Sequence, residues 1–197
     1  NLLIVPKLGE TPFISPLSRT AFLTYKYSLE ETIKKPDGSL IFKIKVWPWK
    51  SGNASFKGYL FIEDNTWAIT QLELTLEKGN LTIFDEFTVR QEYQLLQDSI
   101  RVLKKQDFYY YSKSGKTEFN GATQVIYSDY QFGVEFPKRF FNNELGVVED
   151  NAEKRDSAYW NKERPIPLTI EEQKYVAYKD SIYELFNSKE YLDSLDK

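Results

Sequence analysis

The sequence predicts an α+β domain, in which a curved, mostly antiparallel β-sheet is followed by a C-terminal helical tail. Apolar and polar residues alternate over most of the first 130 residues, and aromatic residues make up 16% of the chain. Alternation with a period of two indicates half-buried strands, and aromatic side chains favour strands. Short links between successive runs predict a half-barrel-like meander of about seven strands. We expect the sheet domain over residues 1–145 and the helical tail over residues 146–197.

The first two strands are predicted to form a hairpin. Residues 21–32 alternate, with apolar side chains at odd positions, and residues 40–46 alternate again with apolar side chains at even positions. Between them, residues 35–38 read KPDG. This is a turn sequence, because Pro presets φ and Gly accepts a positive φ.

Five further strands are expected at residues 55–63, 67–77, 81–95, 100–111 and 117–130. The aromatic run at residues 107–111, DFYYY, lies in one of them. Successive side chains of a strand point to opposite faces, so at least one set of these rings needs a covering surface. A helix packed on the sheet is the simplest candidate for that surface.

The tail is predicted to contain two helices. Residues 150–164 form the first, which Pro165 and Pro167 end. Thr169 and Glu172 have the spacing of a capping box at the start of the second. Behind this box, apolar residues recur every three or four positions and form one stripe: Tyr175, Tyr178, Ile182, Leu185 and Phe186, extended by Leu192 and Leu195. We expect the stripe to pack on the open face of the sheet; the alternative is that it receives another domain or protein.

The composition excludes several kinds of catalytic and metal site. The chain contains no His and no Cys, which removes Ser-His-Asp and Cys-His pairs, histidine metal ligands, zinc knuckles and disulfides. We therefore expect no enzyme activity, no catalytic residues, no metal and no cofactor. Carboxylate, Tyr, Lys or Ser-Lys chemistry remains open.

The charge pattern argues against nucleic acid as a partner. The net charge is −3 and the pI about 5.3, and no basic stripe for phosphates or anionic lipid is visible along the sequence. No apolar run approaches the length of a transmembrane helix. The chain opens on Asn1 and contains no Met, so we expect a fragment or a mature form, with any signal or anchor outside it.

One acidic stretch, Glu63-Asp64-Asn65-Thr66-Trp67, resembles a binding site at first sight. It lacks the alternating acids, central Gly and distal Glu of a calcium loop, whereas Asp and Asn are preferred turn residues. We therefore interpret residues 63–66 as a tight turn, with Trp67 entering the next strand. The neighbouring acids Asp85 and Glu86 cannot form a glycosidase pair by adjacency, because strand neighbours point to opposite faces; Glu149-Asp150 is likewise expected to be a solvated surface.

Trp47 and Trp49 flank Pro48, with Lys50 beside them. Paired exposed aromatic rings can stack on sugars or bases, so both tryptophans are candidate stacking residues, for sugars ahead of bases. The alternative is that they cap one end of the core where the strand leaves the sheet.

Several long stretches resemble a family of Bacteroidetes outer-membrane proteins: "PFISPLSRTAFLTYKYSLEET", "IKVWPWK", "GYLFIEDNTWAITQLELTL", "YSDYQF", "DSAYWNKERPIPLTIEEQ" and "KDSIYELFNSKEYLDSLDK". Its members join a carboxypeptidase-regulatory-like β-sandwich, a middle domain of unknown function and a C-terminal outer-membrane β-barrel. The resemblance spans residues 12–197 and falls within the middle domain. It implies a periplasmic location, attached to the outer membrane, with the sandwich and the barrel as neighbours in the full-length protein. It implies no catalytic residues.

Residues 56–74 also resemble the central hairpin of lipoprotein-carrier proteins. Those proteins curl an antiparallel sheet around an apolar cavity, although such an analogy of fold does not transfer function. The resemblance implies a concave apolar face on which a lipid or another apolar ligand would lie. Its candidate residues are Leu60, Ile62, Leu72, Leu74 and, at the edge, Trp67.

The function expected from these observations is a non-catalytic periplasmic domain of an outer-membrane β-barrel protein. It would bind an apolar ligand or a protein partner in envelope assembly or transport. Two alternatives remain: a carboxylate-based hydrolase of envelope glycan, and a purely structural spacer between the sandwich and the barrel.

Overall fold

The computed structural model describes residues 13–50, 55–77, 81, 84–138, 140, 155–189 and 191. A short 3₁₀ helix (Ala21–Leu23) precedes seven strands, and two helices follow them. The elements are β1 (Tyr25–Lys34), β2 (Leu40–Pro48), β3 (Lys57–Glu63), β4 (Ile69–Glu77), β5 (Glu86–Leu96), β6 (Ile100–Ser114), β7 (Thr117–Ile126), α1 (Ser157–Glu163) and α2 (Ile170–Phe186).

The seven strands form one sheet in the order β1-β2-β3-β4-β5-β6-β7, and each neighbouring pair is antiparallel. The predicted α+β class, with a seven-stranded meander and a helical tail, is therefore confirmed. Contacts divide the chain into two units, Asn1–Gly133 and Val134–Lys197. Residues 145 and 146 lie outside the described residues, so the division between 1–145 and 146–197 stays a prediction.

The predicted hairpin between β1 and β2 is confirmed, with a turn at residues 35–38. Gly38 has φ +88°, which a side chain would disfavour. Asp37 Oδ1 accepts hydrogen bonds from the backbone N–H of Ser39 at 2.9 Å and from its hydroxyl at 2.7 Å. The Lys35 N–H donates to the Ser39 carbonyl at 2.8 Å and closes the turn.

Three predicted strand boundaries are wrong by several residues. Residues 21–23 form the 3₁₀ helix instead of the start of β1. β5 begins at Glu86 and not at Leu81, although Leu81 packs against the core from outside the strand. β7 ends at Ile126 and not at residue 130. Ala21 and Leu81 pack with the core although they lie outside the strands, so a period of two does not by itself mark where pairing stops.

One face of the sheet carries the core. The strand register aligns Val46, Gly58, Leu74 and Val89 in a row across β2 to β5. Their neighbours two positions away are also apolar, and together they form the buried cluster: Val46, Leu60, Leu72, Leu74, Leu76, Phe87 and Val89. This is the alternation expected for an antiparallel sheet with one covered face.

The segment before β1 covers part of this core. Phe13 and Ala21 are buried in the same cluster, as is Phe56, which precedes β3. The Phe13 and Phe56 rings lie 6.0 Å apart. The buried Tyr25 hydroxyl accepts a hydrogen bond from the Phe56 N–H at 2.9 Å and donates to the Ile14 carbonyl. The described chain therefore closes over the sheet from its N-terminal side.

The sheet is curved. Register shifts interrupt the pairing at Leu29/Glu31, Phe61/Ile62 and Glu92/Tyr93, and such bulges bend and twist strands. An ion pair joins Glu63 of β3 to Arg101 of β6 at 2.5 Å. Two strands lie between them, a separation of about 14 Å in a flat sheet. The Glu63 and Arg101 side chains therefore reach towards each other across the ends of β4 and β5.

The first helix of the tail is shorter than predicted, because it begins at Ser157 and not at residue 150. Asp156 caps α1 by accepting from the Tyr159 N–H, and the helix ends before Pro165; residues 150–154, where an earlier start was expected, lie outside the described residues. The predicted capping box of α2 is confirmed, with Thr169 and Glu172 bonded to each other's backbone. Leu192 and Leu195 also lie outside the described residues. No helix in the part of the chain described here is long and apolar enough to cross a membrane.

Candidate functional site

The residues predicted to line a concave apolar face are placed in two different settings. Leu60, Leu72 and Leu74 lie together in the core, with 0–3% of their surface exposed. Ile62 is half-buried against the same cluster. Their side chains therefore pack against protein atoms of the described chain. The binding of an apolar ligand at these residues stays a prediction.

Trp67 lies apart from these residues. Its backbone has φ +53°, and its N–H donates to the Glu63 carbonyl at 3.0 Å. It therefore belongs to the turn, and β4 begins at Ile69 instead of at Trp67 as predicted. The indole is 70% exposed and stacks on Phe42 of β2, with ring centroids 6.1 Å apart.

The acidic stretch is a turn, as interpreted from its residues, but Glu63 also joins distant elements. Its carboxylate accepts from Lys35 Nζ at 2.6 Å, from Arg101 at 2.5 Å and from the Thr66 hydroxyl at 3.1 Å. The Lys35 hydrogen bond, helped by Thr66 and Arg101, holds the pKa of Glu63 below its ordinary value. Nothing in the sequence links residues 35, 63 and 101, because only the register and the curvature of the sheet bring them together.

The face opposite the core is polar and continuous. One row of paired residues crosses all seven strands on it: Ser28, Lys45, Tyr59, Glu73, Arg90, Asp107 and Gln124. Arg90 forms an ion pair with Glu73, and buried Asp107 contacts Lys105 Nζ at 3.0 Å and Gln124 Nε2 at 2.9 Å. The charged residues of this row in β4 to β6 are thus paired with neighbouring side chains on the same face.

The β1–β3 end of this face differs, because it combines lysines with aromatic rings. Lys26 Nζ lies 4.3 Å from the ring centroid of Trp49, and Lys43 Nζ lies 4.7 Å from that of Tyr59. We call Lys26, Lys43, Lys45, Trp47, Trp49 and Tyr59 the lysine–aromatic face. Within the described residues none of its three lysines forms an ion pair with a carboxylate. The lysines come from two strands, so the sequence alone did not reveal the patch.

Both candidate stacking tryptophans lie on the lysine–aromatic face. Trp47 is half-buried in β2, opposite Lys26 of β1. Trp49 follows β2, is 57% exposed, and its Nε1–H donates to the Phe22 carbonyl at 3.4 Å. The structure therefore brings the two rings onto one surface, as their spacing suggested.

A groove lies near the other edge of the sheet, at β5 to β7. It has a volume of about 410 Å³ and is lined by Glu86, Tyr109, Tyr110, Tyr111, Asn120, Gly121 and Ala122. Phe108 and Tyr110 pack against the core while Tyr109 is exposed, which confirms the predicted alternation of this aromatic run. A Cβ on Gly121 would lie 2.0 Å from the Tyr110 ring, so the missing side chain makes room for that ring.

The stripe of α2 faces solvent within the described residues. Tyr175 and Tyr178 are 67% and 66% exposed, Leu185 and Phe186 are 56% and 48% exposed, and only Ile182 is half-buried. A cavity of about 510 Å³ lies between α1 and α2, and α2 lines it with Gln173, Val176, Ala177 and Asp180. At about 100° per residue, that set lies on the side of α2 opposite the stripe. Whether the stripe packs on the sheet stays a prediction.

In the described residues, carboxylates and potential metal ligands do not come together in a catalytic site. Asp85 Oδ2 accepts from the Lys113 N–H at 2.6 Å, whereas Glu86 lines the groove at β5 to β7. No group of three or more acidic side chains that could hold a metal ion is present in the described ranges. Glu149 and Asp150 lie outside those ranges. The absence of catalytic residues, metal and cofactor stays a prediction.

Comparison with known proteins gives a family but no activity. No curated protein matches the chain, and no solved structure matches it. A family model described as a family of unknown function, DUF5686, matches residues 1–130, which contain all seven strands of the sheet. The chain therefore belongs to the DUF5686 family of unknown function.

Proposed function

We propose that the chain is a non-catalytic periplasmic domain of an outer-membrane protein, and that it binds a protein partner in envelope assembly or transport. The observation that carries the proposal is the exposed stripe of α2, formed by Tyr175, Tyr178, Ile182, Leu185 and Phe186. Large exposed apolar patches on soluble domains commonly mark interaction surfaces.

The geometry of α2 suits a partner groove. The five stripe residues fall within an arc of about 100° around the helix. Side chains spaced three, four and seven positions apart are the anchors with which amphipathic helices enter apolar grooves of proteins. α1 lies beside the opposite side of α2, so α1 does not cover the stripe.

The location rests on resemblance. Long stretches of the chain, among them residues 156–173 and 179–197, resemble the middle domain of Bacteroidetes outer-membrane proteins. In such proteins the sandwich and barrel domains of the same polypeptide are the nearest available protein surfaces. We therefore propose a periplasmic domain attached to the outer membrane, with these neighbours as the first candidate partners.

The non-catalytic part of the proposal rests on chemistry. The chain has no His and no Cys. A carboxylate-based hydrolase needs two carboxyl groups about 5–9.5 Å apart across a cleft. In the described residues the best-buried carboxylates, Glu63 and Asp107, each contact a lysine or arginine instead. The Lys35 hydrogen bond holds the pKa of Glu63 below its ordinary value, which makes this carboxylate a poor general acid at neutral pH.

We favour a protein partner over an apolar ligand because of the core. An apolar ligand beside Leu60, Leu72 and Leu74 would have to separate side chains that are 0–3% exposed. Opening such a core loses both hydrophobic and packing free energy. The α2 stripe needs no such opening.

The structural spacer is the second candidate, favoured by the same closed core. In a spacer, the sheet would act only as a rigid body, and the helices would bind no specific partner. The two candidates differ in what they predict for α2.

Site-specific photocrosslinking separates them. We expect a benzoyl-phenylalanine at position 178 to give a discrete crosslink to one protein, or to a neighbouring domain, in intact cells. Position 183 is the matched control, since Tyr183 is 70% exposed and lies outside the stripe. Equal crosslinking from both positions, or none from position 178, would favour the spacer.

A further inference from the structure

A further groove lies at the β1–β2 edge of the sheet and is lined by polar, charged and aromatic side chains. It has a volume of about 560 Å³ and is lined by Ser28, Leu29 and Glu30 of β1 and by Lys45 and Trp47 of β2. Ser28 and Lys45 are paired across the two strands, which places both on the face opposite the core. The groove is shallow and open to solvent, so the case for a ligand rests on its chemical groups.

The charges around this groove are incompletely matched. Lys45 is exposed, and Lys26 and Lys43 lie on the same face. Within the described chain, none of the three pairs with a carboxylate; Lys26 and Lys43 instead lie over the rings of Trp49 and Tyr59. Cation–π contacts hold an ammonium group in place but leave its charge uncompensated. Glu31 lies opposite Lys43 in the strand register and, with Glu30, offsets part of this charge, so the three lysines leave a small positive excess for an anionic partner.

The other lining groups narrow the class of partner. The Trp47 indole offers a flat apolar surface with one polar edge. The Ser28 hydroxyl donates and accepts hydrogen bonds, and the Glu30 carboxylate accepts them. A carboxylate in the groove would repel a ligand that presents only negative charge, such as a phosphate backbone or a polyglutamate segment. It would accept hydrogen bonds from a ligand that also carries hydroxyl groups.

We propose that this groove binds an acidic sugar, that is, a sugar that carries a carboxylate or a phosphate group. In this assignment the apolar face of the sugar ring stacks on Trp47. Lys45 contacts the anionic group, and Lys26 and Lys43 add to the positive potential. Ser28 and Glu30 bond to hydroxyl groups. The site is independent of the partner surface on α2, so either can fail without the other.

Titration calorimetry on the whole chain tests the assignment with three probes. These are an oligogalacturonate, mannose 6-phosphate and a neutral dextran oligosaccharide. We expect at least one acidic probe to bind, with affinity that falls as salt is added, and the dextran not to bind. Failure of both acidic probes, or equal binding of the dextran, would overturn the proposal.

Two substitutions make the test specific to the groove. Lys45→Glu is exposed and changes only charge, and we expect it to weaken binding of the acidic probe about tenfold or more. Lys116→Glu, in the exposed β6–β7 turn, makes the same change in net charge and should leave binding within about twofold. Trp47→Leu, checked for folding by circular dichroism, should also lose binding.

Binding to other anionic surfaces is the remaining outcome to measure. If polyglutamate or vesicles of phosphatidylglycerol bind as well as the acidic sugar and respond equally to Lys45→Glu, the face recognises charge alone. The acidic-sugar assignment would then be wrong. If the acidic sugar binds more tightly than the other anions and Lys45→Glu weakens its binding more, the assignment is supported.

Discussion

Glu63 shows how one carboxylate can connect elements that are distant in sequence. Its oxygens contact Lys35 after β1, Arg101 at the start of β6 and Thr66 in its own turn. The sequence predicts only that Glu63 lies in a tight turn, in preference to a calcium loop. The turn chemistry was correctly predicted, because it depends on neighbours in sequence. The ion pairs were not, because they depend on how far the sheet curls.

We predict that Glu63→Gln lowers the free energy of unfolding by about 1–3 kcal/mol, since Arg101 would lose its carboxylate while remaining mostly buried. The matched control is Glu118→Gln, which breaks an exposed pair with Lys113 and should cost less than about 0.5 kcal/mol. Urea denaturation measures both. Equal losses for the two variants would contradict the role assigned to Glu63.

The ion pairs of Glu63 also make the stability of the folded chain depend on pH. The pKa of Glu63 is lower in the folded chain than its ordinary value of 4.5, so folding favours the ionised form. This stabilisation is present above about pH 4.5 and is lost as pH falls through the folded-state pKa. We therefore expect the stability difference between the native chain and Glu63→Gln to shrink between pH 5 and pH 3. A constant difference over that range would exclude ionisation as its cause.

In the core, Tyr25 plays a role like that of Glu63, because its side chain joins segments that are distant in sequence. Its hydroxyl bonds to the Phe56 N–H and the Ile14 carbonyl. We predict that Tyr25→Phe costs about 1–3 kcal/mol, because both backbone groups would be left without this partner. Tyr27→Phe, which removes an exposed residue's bond to the Pro16 carbonyl, should cost less. Thermal unfolding followed by circular dichroism compares them.

Alkaline pH provides a second test of Tyr25. Burial raises the pKa of Tyr25 to about 12, against an ordinary value of 10.0, so the unfolded chain ionises first as pH rises. The contribution of this residue is therefore complete below pH 10 and is lost as pH rises towards 12. The native chain should lose more stability than Tyr25→Phe between pH 9 and pH 11. The opposite order would show that Tyr25 is not buried in this way.

At the scale of elements, the strands and helices were largely predictable because period-two alternation and a capping box are local patterns. The boundaries of these elements were less predictable. The turn after β3 takes in Trp67, whose positive φ removes it from the ladder, and no alternation pattern records a backbone conformation. The lysine–aromatic face was missed for a related reason, since it exists only when β1 and β2 are in register.

Gly58 tests the close approach of β3 and β4. Its φ is +149°, and a Cβ there would lie 2.0 Å from the Glu73 carbonyl oxygen. Gly58→Ala should therefore cost at least about 2 kcal/mol. Gly38→Ala also has a positive φ but meets nothing within 4 Å, so it should cost only about 1 kcal/mol. A smaller loss for Gly58→Ala than for Gly38→Ala, in chemical denaturation, would contradict this packing.

Thr169 tests the start of α2. Replacing it by Ala removes the side-chain half of the capping box and should destabilise the helix by about 1 kcal/mol. Ser181→Ala, inside the same helix, removes only an exposed bond to the Ala177 carbonyl and should change stability by less than about 0.5 kcal/mol. Far-ultraviolet circular dichroism during heating reports the loss of helix. Similar profiles for both variants would mean that α2 does not depend on this cap.

At the scale of the whole molecule, the sheet provides a closed core and the lysine–aromatic face, and α2 provides the apolar stripe. Leu60, Leu72 and Leu74 were predicted as ligand-facing because alternation marks the apolar side of a strand, and the structure places them in the core. Alternation cannot distinguish an apolar side that faces a cavity from one that faces the chain's own side chains. The α2 stripe was predicted from spacing, but only its exposure indicates a partner.

Hydroxyl-radical footprinting of the tyrosines measures that exposure in place. Tyr175, Tyr178 and Tyr183 are about equally exposed in the described chain, and only the first two belong to the stripe. If α2 binds a protein partner, Tyr175 and Tyr178 will be oxidised more slowly in the envelope of intact cells than in the purified chain, while the oxidation rate of Tyr183 stays the same. Equal rates for Tyr175 and Tyr178 in the two samples would contradict the proposed function.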